Sequence, residues 1–348
     1  MVIGIIDPAS HIPSLKQLFP EAEYFSHEPD SFFTYSAAPH YTKEKIYKEY
    51  GFNFRTDWNA ITSDNFHTLF IVLSVMDYYR TFPLSISTGY YKTYLNKPLP
   101  PRDDRDRMLD IIVDIVSNNK FKQVVLFDTY DYDYDPSIVD TRIKANYYFK
   151  RNYDMTKKYN SNVFPFPCMM FVKPCVLGMM LNKNTESTIS RINLPMWAGS
   201  IYKHIDNNFV PQVIRDRKSI FNKIQDKLVV YSGLSEYEYR NKIKQYTILV
   251  DLLGVGDPNK RIFEGFSSGT LVMTMSCDLN WGFSDGDDFH PDTKFRTAEE
   301  YFTKVDRLVF DSQHYIKCLN IQNTLVNKYF TQYALSTYIL SSIDSIAF

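Results

Sequence analysis

The chain has 348 residues, more than one compact hydrophobic core usually holds, so two domains are expected. Hydrophobic residues make up 44% of it and charged residues 23%, which is the balance of a globular protein rather than a disordered or fibrous one. The formal net charge of −1 argues against a polyanion as the main partner, and we predict no nucleic-acid partner.

Compartment and membrane topology follow from the apolar runs and the cysteines. No apolar run approaches the roughly 20 residues that a membrane-spanning helix needs, and the first residues lack the basic start of a signal peptide. The cysteines form no CxxC pair and no histidine stands at ligand spacing, so no structural zinc ion is expected. Free thiols indicate a reducing compartment, and we predict a soluble, cytoplasmic protein. The cysteines are Cys168, Cys175, Cys277 and Cys318.

The first half of the chain alternates apolar strands with helices. Residues 2–6 predict a buried parallel strand, and residues 43–50 a helix. The apolar run 66–76 fits either a strand or a helix. Residues 103–119 predict an amphipathic helix because apolar residues recur with the helical period, and the apolar run 123–127 predicts the strand that follows. This alternation is typical of a parallel α/β sheet.

The second half repeats the alternation after a polar, aperiodic stretch near residues 180–192. We therefore predict an N-terminal domain over 1–188, a C-terminal domain over 189–325 and a final helical segment over 326–348 that packs back on the first domain. The expected strands are 194–200, 228–231, 246–253 and 270–274, and the expected helices are 211–227, 235–245, 260–267, 298–308 and 328–346.

The segment around Lys260, Arg261 and Glu264 is the strongest functional signal. Two cations near the start of a predicted helix can neutralise a diphosphate together with the helix N-terminus. A glutamate one turn later can accept hydrogen bonds from the two ribose hydroxyls. This pattern indicates a site for a sugar nucleotide, although an ion pair on an exposed helix surface would give the same pattern.

Several motifs in order resemble glycosyltransferases of the GT-B fold, including fucosyltransferase-like ones and some from bacteria and large viruses. The resemblance implies an α/β protein with two Rossmann-like domains that face a cleft. It also implies transfer of a sugar from a UDP- or GDP-sugar to a hydroxyl of a glycan or other acceptor, with no cofactor or metal required. The motifs are Met196-Trp-Ala-Gly-Ser200, Val230-Tyr-Ser-Gly233, Ser235-Glu-Tyr-Glu-Tyr239, Lys260-Arg261-x-x-Glu264 with Ser268-Gly-Thr-Leu-Val272, and upstream Phe127-Asp128 with Asp131, Tyr148-Phe-Lys-Arg151 and Phe164-Pro-Phe-Pro167.

The resemblance assigns binding roles to particular residues. Lys260 and Arg261 would contact the diphosphate and Glu264 the ribose, with Lys150 and Arg151 as second candidates for the diphosphate. A solvated helix end would equally explain Lys150 and Arg151. The glycine-rich loop that many of these enzymes carry is not evident, and Gly233 is among its nearest counterparts, with Gly254 and Gly256.

A general base is needed if the acceptor hydroxyl is deprotonated. His11 follows the first strand, at the edge where ligands bind in parallel sheets, and imidazole titrates near neutral pH. Asp7 could orient His11 or act as the base itself, and Asp131 is a rival. His11 could also simply pack within its loop.

Two alternatives remain open. The acids Asp131, Asp133 and Asp135 follow a strand, and Asp-x-Asp there could bind Mn²⁺ or Mg²⁺ with the diphosphate in a metal-dependent glycosyltransferase. A solvated loop would explain the same acids, and we do not favour the metal site. The protein could instead bind a nucleotide or sugar without catalysis, because fold does not establish activity.

Overall fold

The structure is a computed structural model of the chain. It describes residues 2–8, 12–26, 43–73, 102–129, 134–151, 153, 157–166, 191–199, 212–252, 260–275 and 288–344. Within these ranges, the side chains of residues 45, 102–106, 212–215, 236, 260 and 344 lie outside the description.

The chain divides into two compact units. The first comprises residues 1–173 and 336–348, and the second residues 174–335. Each unit contains one parallel β-sheet with helices, which confirms the predicted α/β class. The predicted boundary after residue 188 lies outside the described residues.

The first sheet has six parallel strands in the order β2-β1-β3-β4-β5-β6. Strands β1, β3, β4 and β5 are buried along their whole length, as expected where helices cover both faces of a sheet. The strands are β1 (Ile3–Ile6), β2 (Glu23–Phe25), β3 (Thr68–Leu73), β4 (Gln123–Asp128), β5 (Tyr147–Lys150) and β6 (Val163–Pro165).

Four described helices lie between these strands along the chain. The longest places Met108, Leu109 and Ile112 in the core against β3 and β4 residues such as Leu69 and Leu126. The helices are α1 (Ser14–Leu18), α2 (Lys43–Tyr50), α3 (Arg102–Asn118) and α4 (Pro136–Val139), with a 3-10 turn at Trp58–Ala60.

The second sheet has four parallel strands in the order β10-β9-β7-β8. Its first strand in sequence therefore lies between the second and the third, as in the first sheet. The strands are β7 (Ile192–Ala198), β8 (Val229–Tyr231), β9 (Tyr246–Asp251) and β10 (Leu271–Thr274).

Six described helices accompany the second half of the chain. Arg191 fixes the turn between α7 and β10 by donating to the carbonyls of Ser268 and Gly269 at 2.9 and 2.8 Å. The helices are α5 (Gln212–Ile224), α6 (Glu236–Ile243), α7 (Lys260–Ser267), α8 (Ala298–Phe310), α9 (Ser312–Tyr329) and α10 (Gln332–Asp344), with 3-10 turns at Gln225–Lys227 and Pro291–Thr293.

Helix α9 contacts the outer strand of the second sheet through one amide side chain. Gln322 is buried, its Oε1 accepts from the backbone N–H of Val272 at 2.8 Å, and its Nε2 donates to the carbonyl of Thr270 at 2.9 Å. The backbone N–H of Phe295 donates to the carbonyl of Thr274 at 3.0 Å. These bonds attach α9 and the 288–295 segment to β10.

The C-terminal part of α10 belongs to the first unit. The hydroxyl of Tyr338 donates to the carbonyl of Pro165 at 2.9 Å, and its ring lies 6.1 Å from that of Phe149. Across the described part of the chain, no helix combines the length and the apolar character needed to span a membrane.

Several elements were left ambiguous or were not predicted from the sequence, including the short elements α1, β2, α4 and β5. The ambiguous run 66–76 contains strand β3. The proline-containing stretch near residue 164 includes β6, which is possible because β6 is an edge strand. Helix α9 was not predicted, because its buried side includes the polar residues His314 and Gln322.

Candidate functional site

The crevice at the carboxyl ends of β7 and β9 is the candidate site. In the strand order, β8 lies beyond β7 and β10 lies beyond β9. The chain therefore leaves the neighbouring strands β7 and β9 in opposite directions within the sheet. Neighbouring strands whose connections diverge in this way leave a gap beyond their ends, where ligands bind in open α/β sheets. Here β7 ends beside Gly199 and β9 ends at Asp251.

Arg261, the second residue of α7, spans this crevice. Its Nη1 donates to Asp251 Oδ1 at 3.2 Å, and its guanidinium carbon lies 5.7 Å from the centre of the Trp197 ring. Thr274 Oγ1 donates to the other Asp251 oxygen at 3.2 Å. The guanidinium is therefore held by groups from both diverging strands, and its orientation is fixed by a fully buried carboxylate.

The charge around Arg261 is dominated by acids. Asp251 is fully buried, Glu264 is 5% exposed, and Arg261 itself is 17% exposed. Burial alone would lower the pKa of Arg261, but Tyr239, Asp251 and Glu264 outweigh it and raise the pKa above its ordinary value. Arg261 is therefore a permanent cation in a largely enclosed setting.

Tyr239 on α6 completes this arrangement. Burial is the main reason that its pKa lies well above the ordinary value, and the nearby Glu264 and Asp251 raise it further while Arg261 opposes them. The phenol therefore stays protonated at neutral pH and can donate to the Glu264 carboxylate.

A second guanidinium lies against the same tryptophan. The guanidinium carbon of Arg217, on α5, is 5.8 Å from the centre of the Trp197 ring, and Trp197 is only 1% exposed. No role was predicted for Arg217 from the sequence. None was predicted for Asp251 or Tyr239 either, because these side chains reach Arg261 only through the fold.

Gly199 leaves the space that this arrangement needs. A Cβ atom at residue 199 would lie 2.8 Å from Trp197 Cζ2 and 3.0 Å from Arg261 Nη2. The first distance is closer than a Cβ atom tolerates and the second is tight, so any larger residue would push on Trp197 and Arg261.

The structure tests only part of the interpretation of the Lys260-Arg261-x-x-Glu264 segment. Arg261 and Glu264 are mostly buried, so the alternative of an exposed ion pair on a helix surface is wrong. The side chain of Lys260 lies outside the description. Gly233 follows β8 with φ of +70°, and among the described residues, its two chain neighbours aside, no atom lies within 4 Å of where its Cβ would be.

Lys150 is part of a buried ion pair rather than a solvated helix end. It closes strand β5, and its Nζ lies 3.1 Å from Asp128 Oδ2 with both side chains 0% exposed. Asp128 and Lys150 are register partners on neighbouring strands. The ammonium also lies 4.3 Å from the Tyr134 ring centre. A lysine enclosed in this way presents no surface to a diphosphate, and Arg151 beside it is half-buried.

Asp7 holds the loop that follows β1. Its Oδ2 accepts from the backbone N–H of Ile12 and from the hydroxyl of Tyr24, both at 2.6 Å. Asp7 is fully buried where the first sheet has its own divergence of strands, between β1 and β3. His11 lies outside the described residues, so the structure anchors its loop without showing its side chain.

The acidic run after β4 is described only at its end. Asp131 and Asp133 lie outside the described residues. Asp135 caps α4, because its Oδ1 accepts from the backbone N–H of Ser137 and its Oδ2 from that of Asn160, both at 2.9 Å. One of the three acids considered as metal ligands therefore has a structural role.

Two Rossmann-like domains, each built on a parallel sheet, define the fold of the GT-B glycosyltransferases. A DNA-modifying beta-glucosyltransferase has a TM-score of 0.53 at 11% identity, with 99% of this chain and 100% of that one covered. An alpha-glucosyltransferase in complex with UDP and a 13-mer DNA containing a HMU base has a TM-score of 0.52 at 11% identity, with both chains covered completely. A mutant O-GlcNAc transferase of Thermobaculum terrenum has a TM-score of 0.51 at 10% identity, with 99% of this chain and 67% of that one covered.

These similarities confirm the predicted fold class. Neither a protein-family model nor a curated protein sequence matches the chain. At 10–11% identity the shared property is the fold, and the roles of individual residues rest on the geometry above.

The prediction that excluded a nucleic-acid partner is wrong. The alpha-glucosyltransferase that shares this fold is in complex with DNA. Net charge sums over the whole chain, and a near-neutral sum is compatible with a locally basic surface. The value of −1 therefore does not exclude nucleic acid.

Proposed function

We propose that this protein is a glycosyltransferase that moves a sugar from a nucleoside-diphosphate sugar to a hydroxyl group. The observation that carries the proposal is the enclosed guanidinium of Arg261 at the crevice between β7 and β9. A fixed cation at that position suits a leaving diphosphate, whose charge increases as the glycosidic bond breaks. The second unit would bind the donor, and the first would present the acceptor and the base.

The diphosphate would be held by guanidinium groups and a helix end. Asp251 orients Arg261, Arg217 adds a second positive charge beside Trp197, and Lys260 begins α7. Planar guanidinium groups match phosphate oxygens, and the N-terminus of a helix favours an anion. Gly233, at the end of the neighbouring strand β8, offers open backbone on the same sheet edge.

Gly199→Ala is expected to weaken nucleoside-diphosphate binding about tenfold. The added methyl group pushes on Trp197 and Arg261, and overpacking of this kind costs on the order of 1–3 kcal/mol. Calorimetric titration with UDP and GDP measures the affinity. Gly51→Ala is the matched control, because Gly51 has φ of +76° and open space around its Cβ position. That variant should lose stability but no affinity, and equal affinities for all three proteins would contradict the proposed pocket.

Glu264 would accept hydrogen bonds from the ribose hydroxyls. Glu264→Gln is expected to weaken binding of the ribonucleotide about tenfold, because a carboxylate accepts more strongly than a neutral amide. The affinities of wild type and variant for the 2′-deoxynucleotide should differ less than their affinities for the ribonucleotide. Melting temperatures establish that both proteins are folded. If the two nucleotides respond identically to the substitution, Glu264 does not contact the 2′-hydroxyl.

We propose that donor binding is metal-independent. The support is that Arg261 supplies a fixed positive charge, while Asp128 and Asp135 are engaged with Lys150 and the α4 cap. Turnover measured in metal-free buffer, with and without added Mn²⁺ or Mg²⁺, tests this. Activity that requires the added ion would favour the Asp131–Asp135 alternative instead.

For the base, His11 and Asp131 remain the candidates, with Asp7 positioning the loop of His11. An inverting transfer needs such a base to take the proton of the acceptor hydroxyl. His11→Ala and Asp131→Asn are the two variants to compare. The base is the residue whose loss lowers kcat while nucleotide affinity is unchanged.

The acceptor is proposed as a hydroxyl on a polymer, and a modified DNA base is a specific candidate. The support is the shared fold with an alpha-glucosyltransferase bound to DNA that contains a HMU base. Labelled UDP- and GDP-sugars offered with hydroxymethylated DNA, unmodified DNA and glycans would identify the acceptor. Nucleotide binding without transfer to any of these, and without slow donor hydrolysis, would favour a non-catalytic binding protein.

A further inference from the structure

A second cluster of reactive side chains lies in the second unit. One ligand atom from each of His290, His314 and Cys318 falls within 4.8 Å of the others. His314 and Cys318 are one turn apart on α9, so they share a face of that helix. His290 comes from the segment before the 3-10 turn Pro291–Thr293.

The local structure holds these side chains in place. Asp311 caps α9 by accepting from the backbone N–H of His314 at 2.9 Å, which fixes where the helix begins. The hydroxyl of Thr293 donates to the carbonyl of His290 at 2.8 Å. The two imidazole rings meet edge to face with their centres 5.0 Å apart.

A carboxylate borders the cluster. Asp292 Oδ2 lies 2.7 Å from His314 Nε2 and 3.0 Å from Arg307 Nη1. Cys318 Sγ lies 3.7 Å from the same His314 nitrogen. Nε2 of His314 therefore faces both a thiol and a carboxylate, and all four side chains offer atoms that bind transition metals.

We propose that His290, His314 and Cys318 form a zinc site, with Asp292, which contacts His314 but stands outside that group, moving in as the fourth ligand. Nitrogen, sulfur and carboxylate oxygen in a compact group are the ligands that Zn²⁺ takes in tetrahedral sites. One thiolate and one carboxylate would balance the charge of the ion. His314 and Cys318 are buried and His290 is partly exposed, so solvent reaches the cluster on the His290 side.

Sequence reasoning missed this site because it looked for CxxC pairs. The spacing of His314 and Cys318 is a signal that could have been used, since residues four apart meet on one helix face. His290 is distant in sequence and joins them only through the fold. A nucleophilic role for Cys318 is a poorer fit, because burial raises the pKa of its thiol to about 11 and keeps it protonated.

Binding would exchange protons in a defined way. Zn²⁺ would replace the thiol proton of Cys318, which goes to solvent, and His314 would bind through Nε2 with its proton on Nδ1. Nδ1 of His290 now accepts from the backbone N–H of Asp292 at 3.1 Å. His290 must give up this bond whichever nitrogen binds the ion, so His290 should contribute less affinity than His314 or Cys318.

The test is metal binding by the full chain, produced without a histidine tag and stripped with a chelator. We expect one equivalent of Zn²⁺ per chain in competition with a chromophoric chelator. We also expect Co²⁺ to give the thiolate-to-metal charge-transfer band of tetrahedral coordination. Because removing even an outer-shell partner costs about 10–100-fold, Cys318→Ser and His314→Gln should each weaken affinity at least ~100-fold.

Controls separate ligation from misfolding. Cys318→Val keeps the buried position apolar and should also lose the charge-transfer band, whereas Cys168→Ser should retain it. Zn²⁺ should raise the melting temperature of the wild type but not of Cys318→Val. Equal zinc affinity of wild type and the Cys318 variants, or a cobalt spectrum without a thiolate band, overturns the proposal. No nucleotide is present, so this outcome is independent of glycosyl transfer.

Discussion

Lys150→Met is expected to destabilise the first unit by about 3–5 kcal/mol, because it leaves the fully buried carboxylate of Asp128 without its counter-charge. Methionine keeps the length of the aliphatic stem, so the loss reports the charge rather than a cavity. Urea denaturation followed by circular dichroism measures the free energy of unfolding.

Two further variants make this result specific. The double variant Lys150→Met with Asp128→Asn removes both charges and should recover most of the lost stability. Arg142→Met breaks an exposed ion pair with Asp110 and should cost less than about 1 kcal/mol. A Lys150→Met protein as stable as the Arg142→Met protein would show that the buried pair is not needed.

Arg261→Lys is expected to lower kcat/KM for glycosyl transfer about 10²–10³-fold, the range found when a fixed donor to a developing negative charge is removed. Lysine keeps a positive charge beside Asp251, so the fold should survive. It cannot reproduce the planar guanidinium against Trp197. Steady-state kinetics and calorimetric nucleotide titration together distinguish lost transition-state stabilisation from lost donor binding.

The matched control is Arg296→Lys, an exposed arginine of the same unit. Its kcat/KM should match that of the wild type within about twofold. This change is much smaller than a tenfold change, which corresponds to about 1.4 kcal/mol. An Arg261→Lys enzyme with wild-type kinetics would remove Arg261 from the donor site. That result would leave the buried contact with Asp251 as its whole role.

Local periodicity predicted most of the fold. Helix α3 and strands β4 and β9 were predicted because the apolar pattern of each lies within one continuous stretch of sequence. Strand β3 stayed ambiguous because a strand buried on both faces has no alternation to reveal it. Helix α9 was missed because its inward side carries polar groups that make structural contacts.

The candidate site was predictable only where it is local. Arg261 and Glu264 are one turn apart, so their proximity follows from helical geometry. Asp251 and Trp197 reach Arg261 because β9 and β7 are neighbours in the sheet. No short segment of the sequence reveals this strand order. The buried pairing of Lys150 with Asp128 was not predicted for the same reason, because the two residues are register partners on the neighbouring strands β5 and β4.

Gln322 has a consequence for how copies of this protein behave at high concentration. Strand β10 is the last strand of its sheet, and an open strand edge is a template on which another chain can add and aggregate. The amide of Gln322 occupies Val272 N–H and the Thr270 carbonyl, and Phe295 occupies the Thr274 carbonyl. These three backbone groups of β10 are thus used within the molecule, so this edge offers less to a second chain.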